Sequence, residues 1–433
     1  MKNETRTALI GRFALEKWPG QHLMAKYLKT ILLGSGLITP LWLTPVYAGQ
    51  GVTERTIRIA GVMDLKGRSQ GLGNGMKKGI EAAIKNQRVK NRRLEFIALN
   101  DSYTPSKTIE STHKLIDNDV LLFAGNVGTP TAKVSLPILK ENRIPAVGFF
   151  TGAGLLRPGD GGPILNYRAS YIQETAKVIK EALKHGIRAP EICAYVQNDA
   201  YGMAGAIGIQ KALENQPGST ETLKAINKII NMTGENPPRN GIGPVGVYQR
   251  NSYLARPGYD SLKAWEKKED VQCKLIVTVG SYMSIAKFIG YASYKGEKWV
   301  YSAVSFTGAD NFKIALNDMN VQNRVIMTQV VPLKDSDLPI VKEAKLALGD
   351  DFGYVSLEGY IVGRLLLKGL QDIKGNTITR EKFMKSIKGK RFDLGGLSLD
   401  FTRDNQGSDR VFMTALSPDG WHSMNTHQWS SWF

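Results

Sequence analysis

Residues 120–154 read VLLFAGNVGTPTAKVSLPILKENRIPAVGFFTGAG. The run 120–125 (VLLFAG) is short, apolar and closed by Gly125 and Asn126, as expected of a strand buried on both faces. Thr129-Pro130 then opens a helical stretch over 129–142, because proline is tolerated in a helix's first turn. A second apolar run follows at 144–150 (IPAVGFF). Strand, helix and strand in this order imply a parallel pair joined by a right-handed crossover. The same alternation precedes the segment. Residues 56–64 (TIRIAGVMD) and 92–101 (RRLEFIALND) read as strands. Residues 73–87 read as a helix with Met76, Ile80, Ala83 and Ile84 on one face, and 105–118 as a helix with Pro105 near its start.

The pattern restarts downstream. Helices are expected at 171–185, 203–215, 260–268 and 283–291, with strands at 191–197, 245–248 and 273–279 between them. Residues 217–244, rich in Asn, Gly and Pro, read as an irregular insertion. The last third adds a strand at 324–330, a long helix at 357–371 and a hairpin-like end over 394–416. Two such units in tandem give an α/β fold with two lobes and parallel central sheets.

The 433 residues are ordinary in composition, 42% hydrophobic and 22% charged, which excludes a wholly disordered chain. The start reads as an export signal. Lys26 and Lys29 precede the apolar stretch 31–43, and Val46-Tyr47-Ala48 offers small residues for cleavage after Ala48. Met24 opens a more typical signal than Met1. An uncleaved anchor is the alternative, although the apolar stretch is short for a span of ~20 residues. Removing residues 1–48 leaves +14 of the formal +18 charge, and the exported chain is expected in the periplasm as a monomer. Basic residues such as Lys77-Lys78 and those in 385–391 read as solvated helix faces, with an anionic membrane surface as the functional alternative. Nucleic acid is not expected as a partner. Cys193 and Cys273 rule out a four-cysteine zinc site; one disulfide or two buried thiols both fit.

Catalytic motifs fail on inspection. Gly67-Arg68-Ser69-Gln70-Gly71 matches G-x-S-x-G but begins several residues beyond the strand, so it reads as loop glycines. Gly71, Gly73 and Gly75 miss the dinucleotide spacing at Met76. His422 and His427 fit no zinc pattern. No catalysis, cofactor or metal is expected. Ligands of open parallel sheets bind beyond the strands' carboxyl ends. Here those ends carry 64–70, 126–131, 149–154, 198–202, 280–282 and 302–308.

These loops carry a resemblance. Over residues 56–420 the chain resembles the periplasmic solute-binding proteins of ABC importers, in the Leu/Ile/Val-binding (type I) branch. The resemblance rests on Gly125-Asn126-Val127-Gly128-Thr129-Pro130-Thr131, Phe150-Thr151-Gly152-Ala153, Arg168-Ala169-Ser170-Tyr171 and Asn198-Asp199-Ala200-Tyr201-Gly202. It continues through Val279-Gly280-Ser281-Tyr282, Val355-Ser356-Leu357-Glu358-Gly359-Tyr360, Asp393-Leu394-Gly395-Gly396 and Gln406-Gly407-Ser408-Asp409. It implies two Rossmann-like lobes, 52–167 plus 330–400 and 168–329 plus 401–433, that close on a ligand. The implied three-segment hinge crosses near 166–168, 327–331 and 394–402.

Carried over by position, Gly128, Thr129, Thr151, Gly152 and Ala153 match the groups that hold a ligand carboxylate, and Tyr201 and Tyr282 the second lobe's aromatics. Departures accompany the match. The stretch that holds the ligand's ammonium in amino-acid binders matches Ser302-Ala303-Val304-Ser305-Phe306, which has no acid. A first-lobe aromatic position matches Leu72, and Phe149-Phe150 stands where a Ser-Pro would be. An unpartnered buried ammonium costs several kcal/mol. The expected ligand is therefore small and neutral or hydrophobic (aromatic, lipid or sterol-like), lined by Leu72, Val127, Phe149, Phe150, Ser281, Val304, Ser305 and Phe306, unless Asp199 supplies an acid. Some of these side chains would equally serve as plain core. The resemblance implies an inner-membrane transporter as partner. Binding of branched-chain amino acids or amides, and a sensor role toward a signalling partner, are the alternatives.

Overall fold

A computed structural model of the protein describes residues 50–433 apart from 160 and 235. The expected export signal lies outside the described residues. Six strands form the first sheet, in the order Arg88–Val89, Arg92–Asn100, Thr56–Met63, Leu122–Ala124, Ala146–Val147 and Ile164–Leu165. All its pairs are parallel except the first. Thr56 lies opposite Arg93 and Met63 opposite Asn100. The second sheet runs Gly420–Ser423, Phe412–Ser417, Val325–Gln329, Val300–Ala303, Leu275–Val279, Ile192–Gln197 and Val245–Tyr248. Its last five strands are parallel, and strands Phe412–Ser417 and Gly420–Ser423 form an antiparallel hairpin added to the edge. A separate hairpin pairs Arg391–Leu394 with Leu397–Asp400, so the expected single hairpin-like end is two hairpins.

The chain passes between the sheets three times: after Leu165, after Gln329, and before Phe412. These passages touch one another. The Tyr167 hydroxyl donates to the Val330 carbonyl at 2.9 Å, and Asn166 pairs with Gln406. Cys193 and Cys273 form a disulfide beside neighbouring strands of the second sheet. Closing a loop of 80 residues, it stabilises that lobe by roughly 4 kcal/mol on a chain-entropy estimate.

Helix Tyr354–Gln371 is buried on nearly every side, as its mostly apolar sequence requires, and packs against helix Gln70–Ile84. Glycine permits the approach: a Cβ on Gly79 would sit 2.1 Å from the Ser356 carbonyl, and one on Gly359 2.4 Å from that of Met76. Residues 217–244 are not irregular throughout. Thr220–Ile230 is a helix, because Thr222, Ile226 and Ile229 share one buried stripe that the surrounding Asn, Gly and Pro obscure. The strand expected over 144–150 is only Ala146–Val147 by pairing, and helices at Ala309–Asn317, Pro339–Leu348 and Arg380–Ile387 were not anticipated.

Candidate functional site

Residues beyond the carboxyl ends of both parallel sheets come together in one place. From the first lobe comes helix Thr129–Glu141, whose amino end is built on Gly128. Gly128 has φ 107°, and a Cβ there would lie 2.2 Å from the Tyr103 ring, so only glycine serves. Thr129 and Thr151 share a hydrogen bond of 2.7 Å, and the Ala153 amide donates to Thr151 Oγ1 at 3.3 Å. The Gly152 carbonyl accepts from the Tyr171 amide at 2.9 Å. Thr131 is turned away, donating to the Val127 carbonyl at 2.6 Å.

From the second lobe comes Phe306, around which rings from both lobes collect. Its centroid lies 4.6 Å from Tyr201, 5.2 Å from Phe150 and 6.2 Å from Tyr103, and Tyr171 lies 5.3 Å from Tyr201. All five are fully buried. Burial pushes the Tyr201 and Tyr103 hydroxyls well above their ordinary range, which keeps them neutral. Leu72 meets the second lobe at Gly308, where a Cβ would be 2.4 Å from Leu72 Cδ2. Tyr282 opens helix Tyr282–Tyr294 behind Ser281, whose amide donates to the Tyr248 hydroxyl at 3.1 Å. Val127 and Val304 are buried in the same hydrophobic core as Phe150, Tyr201 and Phe306. Phe149 is not brought to this group. Its side chain enters the core on the other face of the first sheet, among Ala60, Val62, Phe123 and Ile144, since successive strand residues face opposite ways.

Asp199 is close to the rings but already engaged. Its carboxylate accepts from the Tyr201 amide at 3.0 Å and from Gln197 at 2.8 Å, and pairs with Arg250 at 3.0 Å. Burial raises its pKa, and Arg250 opposes that rise. It caps helix Ala200–Leu213. Gln197 also donates to the Tyr103 hydroxyl across the lobes at 3.2 Å. At the rim, Arg68 of the first lobe covers the Tyr253 ring at 4.4 Å.

The hinge end holds a charge cluster. Arg168 follows the first crossing, Glu174 lies in helix Tyr171–Lys184, and Glu358 lies in the apolar helix Tyr354–Gln371. All three are buried. Arg168 is 3.5 Å from Glu358 and 3.8 Å from Glu174, donates to the Ser305 hydroxyl, and lies over the Phe150 ring at 4.7 Å. Glu174 accepts from the Ser305 amide at 2.7 Å, from its hydroxyl at 3.0 Å and from Thr328. Burial pushes Glu358 up to about 7 although Arg168 pulls it down; Glu174 is raised for the same reason. Arg168 and Glu358 sat inside motifs that carried the resemblance, and Glu174 just beyond one, yet none had an assigned role. The available signal was Glu358, an acid in an otherwise apolar helical stretch.

The fold is matched among known proteins. A family model described as periplasmic binding protein fits residues 56–225. A solved structure, that of "a possible leucine/isoleucine/valine-binding protein from Rhodopirellula baltica SH 1", shares 33% identity and a TM-score of 0.75, covering 88% of this chain and 98% of that one. The chain belongs to the periplasmic binding protein family. Its fold is type I, and the family is one of ligand-binding, non-catalytic proteins of ABC transporters. Two more distant structures share the fold. A fatty acid ABC transporter substrate-binding protein from Thermomonospora curvata is 15% identical, with TM-score 0.69 and coverage of 88% and 95%. A branched-chain amino acid ABC transporter protein from Thermus thermophilus, with bound valine, is 13% identical, with TM-score 0.68 and coverage of 88% and 99%. No curated protein matched the sequence. Among the described residues no helix is long and apolar enough to cross a membrane.

Proposed function

We propose that this periplasmic binding protein captures a small neutral or hydrophobic molecule between its lobes and delivers it to an inner-membrane transporter. The observation that carries this reading is the convergence of Tyr103, Phe150, Tyr171, Tyr201 and Phe306 from both lobes on one buried spot. Rings of this kind supply large apolar contact with few rotatable bonds. The pairing of Asp199 with Arg250 supports it further, because that acid is already neutralised and is a poor partner for a ligand's ammonium. Thr129, Thr151 and the Gly152-Ala153 backbone would orient the ligand, with Tyr201 closing over it. Residues 1–48 would direct export, and the lobes would divide as 52–167 plus 330–400 and 168–329 plus 401–433.

A second reading, an amino-acid or amide binder, is favoured by the Thr129–Thr151 hydroxyl pair beside a helix amino end, a setting suited to a carboxylate or carbonyl. Thermal unfolding of the chain from Gly49 against aliphatic amino acids, amides, aromatic compounds and solubilised lipids separates the two. Ligand at ~100 times its dissociation constant adds about 2.7 kcal/mol, a shift of several degrees. Shifts confined to neutral and apolar compounds are expected; a shift with amino acids alone would overturn the reading.

A further inference from the structure

The cluster at the hinge end is unbalanced in its hydrogen bonds. Glu174 is well supplied, accepting three donors. Arg168 is not. Its Nη2 reaches Ser305 and its Nε faces the Glu358 carboxylate at 3.5 Å, but Nη1 has no hydrogen-bond or ion-pair partner among the described residues although the side chain is buried. The Tyr171 hydroxyl, on a ring 6.0 Å from the Arg168 guanidinium, is likewise buried, with Thr151 as a neighbour but no hydrogen bond of good geometry. Buried donors left unpaired are costly, and native interiors rarely keep two within one cluster without a use. Both belong to the ring cluster: Arg168 lies over Phe150, and Tyr171 lies 5.3 Å from Tyr201.

We infer that Arg168 and Tyr171 form the polar anchor of the cleft and select a ligand bearing an uncharged carbonyl group on an apolar body. A carbonyl oxygen has two lone pairs and can accept from both donors at once. A carboxylate is the wrong partner, because Glu174 and Glu358 already offset the guanidinium charge and a third negative group would join them out of water. An ammonium is wrong for a different reason: it has donors only, and would face donors. The raised pKa of Glu358 fits this balance, since burial resists a second negative charge beside Arg168. Phe150 then has a double part, holding the guanidinium on its face and meeting Phe306 across the cleft.

The inference rests on the proposed apolar cleft and narrows its ligand class. It is tested with matched probe sets: hexanamide, hexanoate and hexylamine, and benzamide, benzoate and benzylamine. Each is titrated at pH 7.5 into the wild-type chain and into Glu358→Gln. In the wild type the amide of a set is expected to bind at least tenfold tighter than its acid or amine. In Glu358→Gln, where one offsetting carboxylate is gone, the acid is expected to gain at least tenfold relative to the amide. A purely structural role for the cluster would shift the melting temperature without moving this ranking. An acid or amine that binds the wild type as tightly as the amide overturns the inference, and so does an unchanged ranking in a folded Glu358→Gln. If that variant does not fold, the wild-type ranking decides alone. Should every set stay silent while a solubilised sterol or fatty alcohol binds, the anchor falls and the apolar reading stands; silence from all of them overturns both.

Discussion

The two ends of the cleft hold the same chemical pair, an arginine beside a carboxylate, in opposite circumstances. At the second-lobe end, Asp199 and Arg250 keep 14% and 28% side-chain exposure, and the acid has a backbone amide and Gln197 as further partners. At the hinge end, Arg168 and Glu174 are shut from water and a second acid, Glu358, is placed beside them. The first pair is a helix cap with a counter-ion. The second joins the lobes, because Glu358 comes from the helix packed on the first sheet while Glu174 and Ser305 belong to the elements of the second. Water at one end relieves any imbalance; at the other, each charge depends on its neighbours.

Removing the central cation breaks the comparison most severely. Arg168→Met leaves Glu174 and Glu358 buried with no positive partner, an expected loss of about 3–5 kcal/mol. Chemical denaturation checks it, and a loss below about 1 kcal/mol would mean that water reaches the hinge end as it does Asp199.

Titration sharpens the contrast. The folded-state pKa of Glu358 is raised from 4.5 to about 7, so the protonated form is favoured by folding. Its contribution is fully present below about 4.5 and is lost as pH rises through about 7. Asp101, raised by burial to about 6, acts with the same sign, as do Glu174 and Asp199, also raised by burial. The melting temperature should therefore fall between pH 5 and 8, and Glu358→Gln should flatten part of that fall while leaving the part due to the other buried acids. An identical slope in the variant would place the titration elsewhere.

The smallest effect is expected at Asp199. Asparagine caps a helix as well as aspartate does, and a partly exposed ion pair is worth ~0.2–1 kcal/mol. Asp199→Asn should cost less than about 1 kcal/mol by denaturation. A loss comparable to that of Arg168→Met would erase the distinction between the two ends.

The architecture was legible because buried parallel strands are short continuous apolar runs, as at 56–64 and 273–279. Where tertiary pairing rather than composition sets the limits, legibility failed: the run 144–150 is uniformly apolar, yet only Ala146–Val147 has strand partners on both sides. Helix Thr220–Ile230 was hidden by the Asn, Gly and Pro around it. For the cleft, motif position brought Leu72, Phe150, Thr151, Tyr201 and Phe306 toward one place. It brought Phe149 as well, whose side chain the alternation of the strand sends into the opposite core. The hinge cluster was not legible, because Arg168, Glu174 and Glu358 meet only once the first crossing and the helix Tyr354–Gln371 are folded together.

The most direct test of a cleft that grips its ligand between lobes is small-angle X-ray scattering of the chain from Gly49. It would be measured alone and with whichever neutral compound of the thermal panel stabilises it most. A smaller radius of gyration and a narrower distance distribution on binding are expected, as hinge closure brings the Phe306 side of the cleft onto the Phe150 side. An unchanged profile at saturating compound would contradict the account, because the rings of the two lobes would then meet without closing on anything.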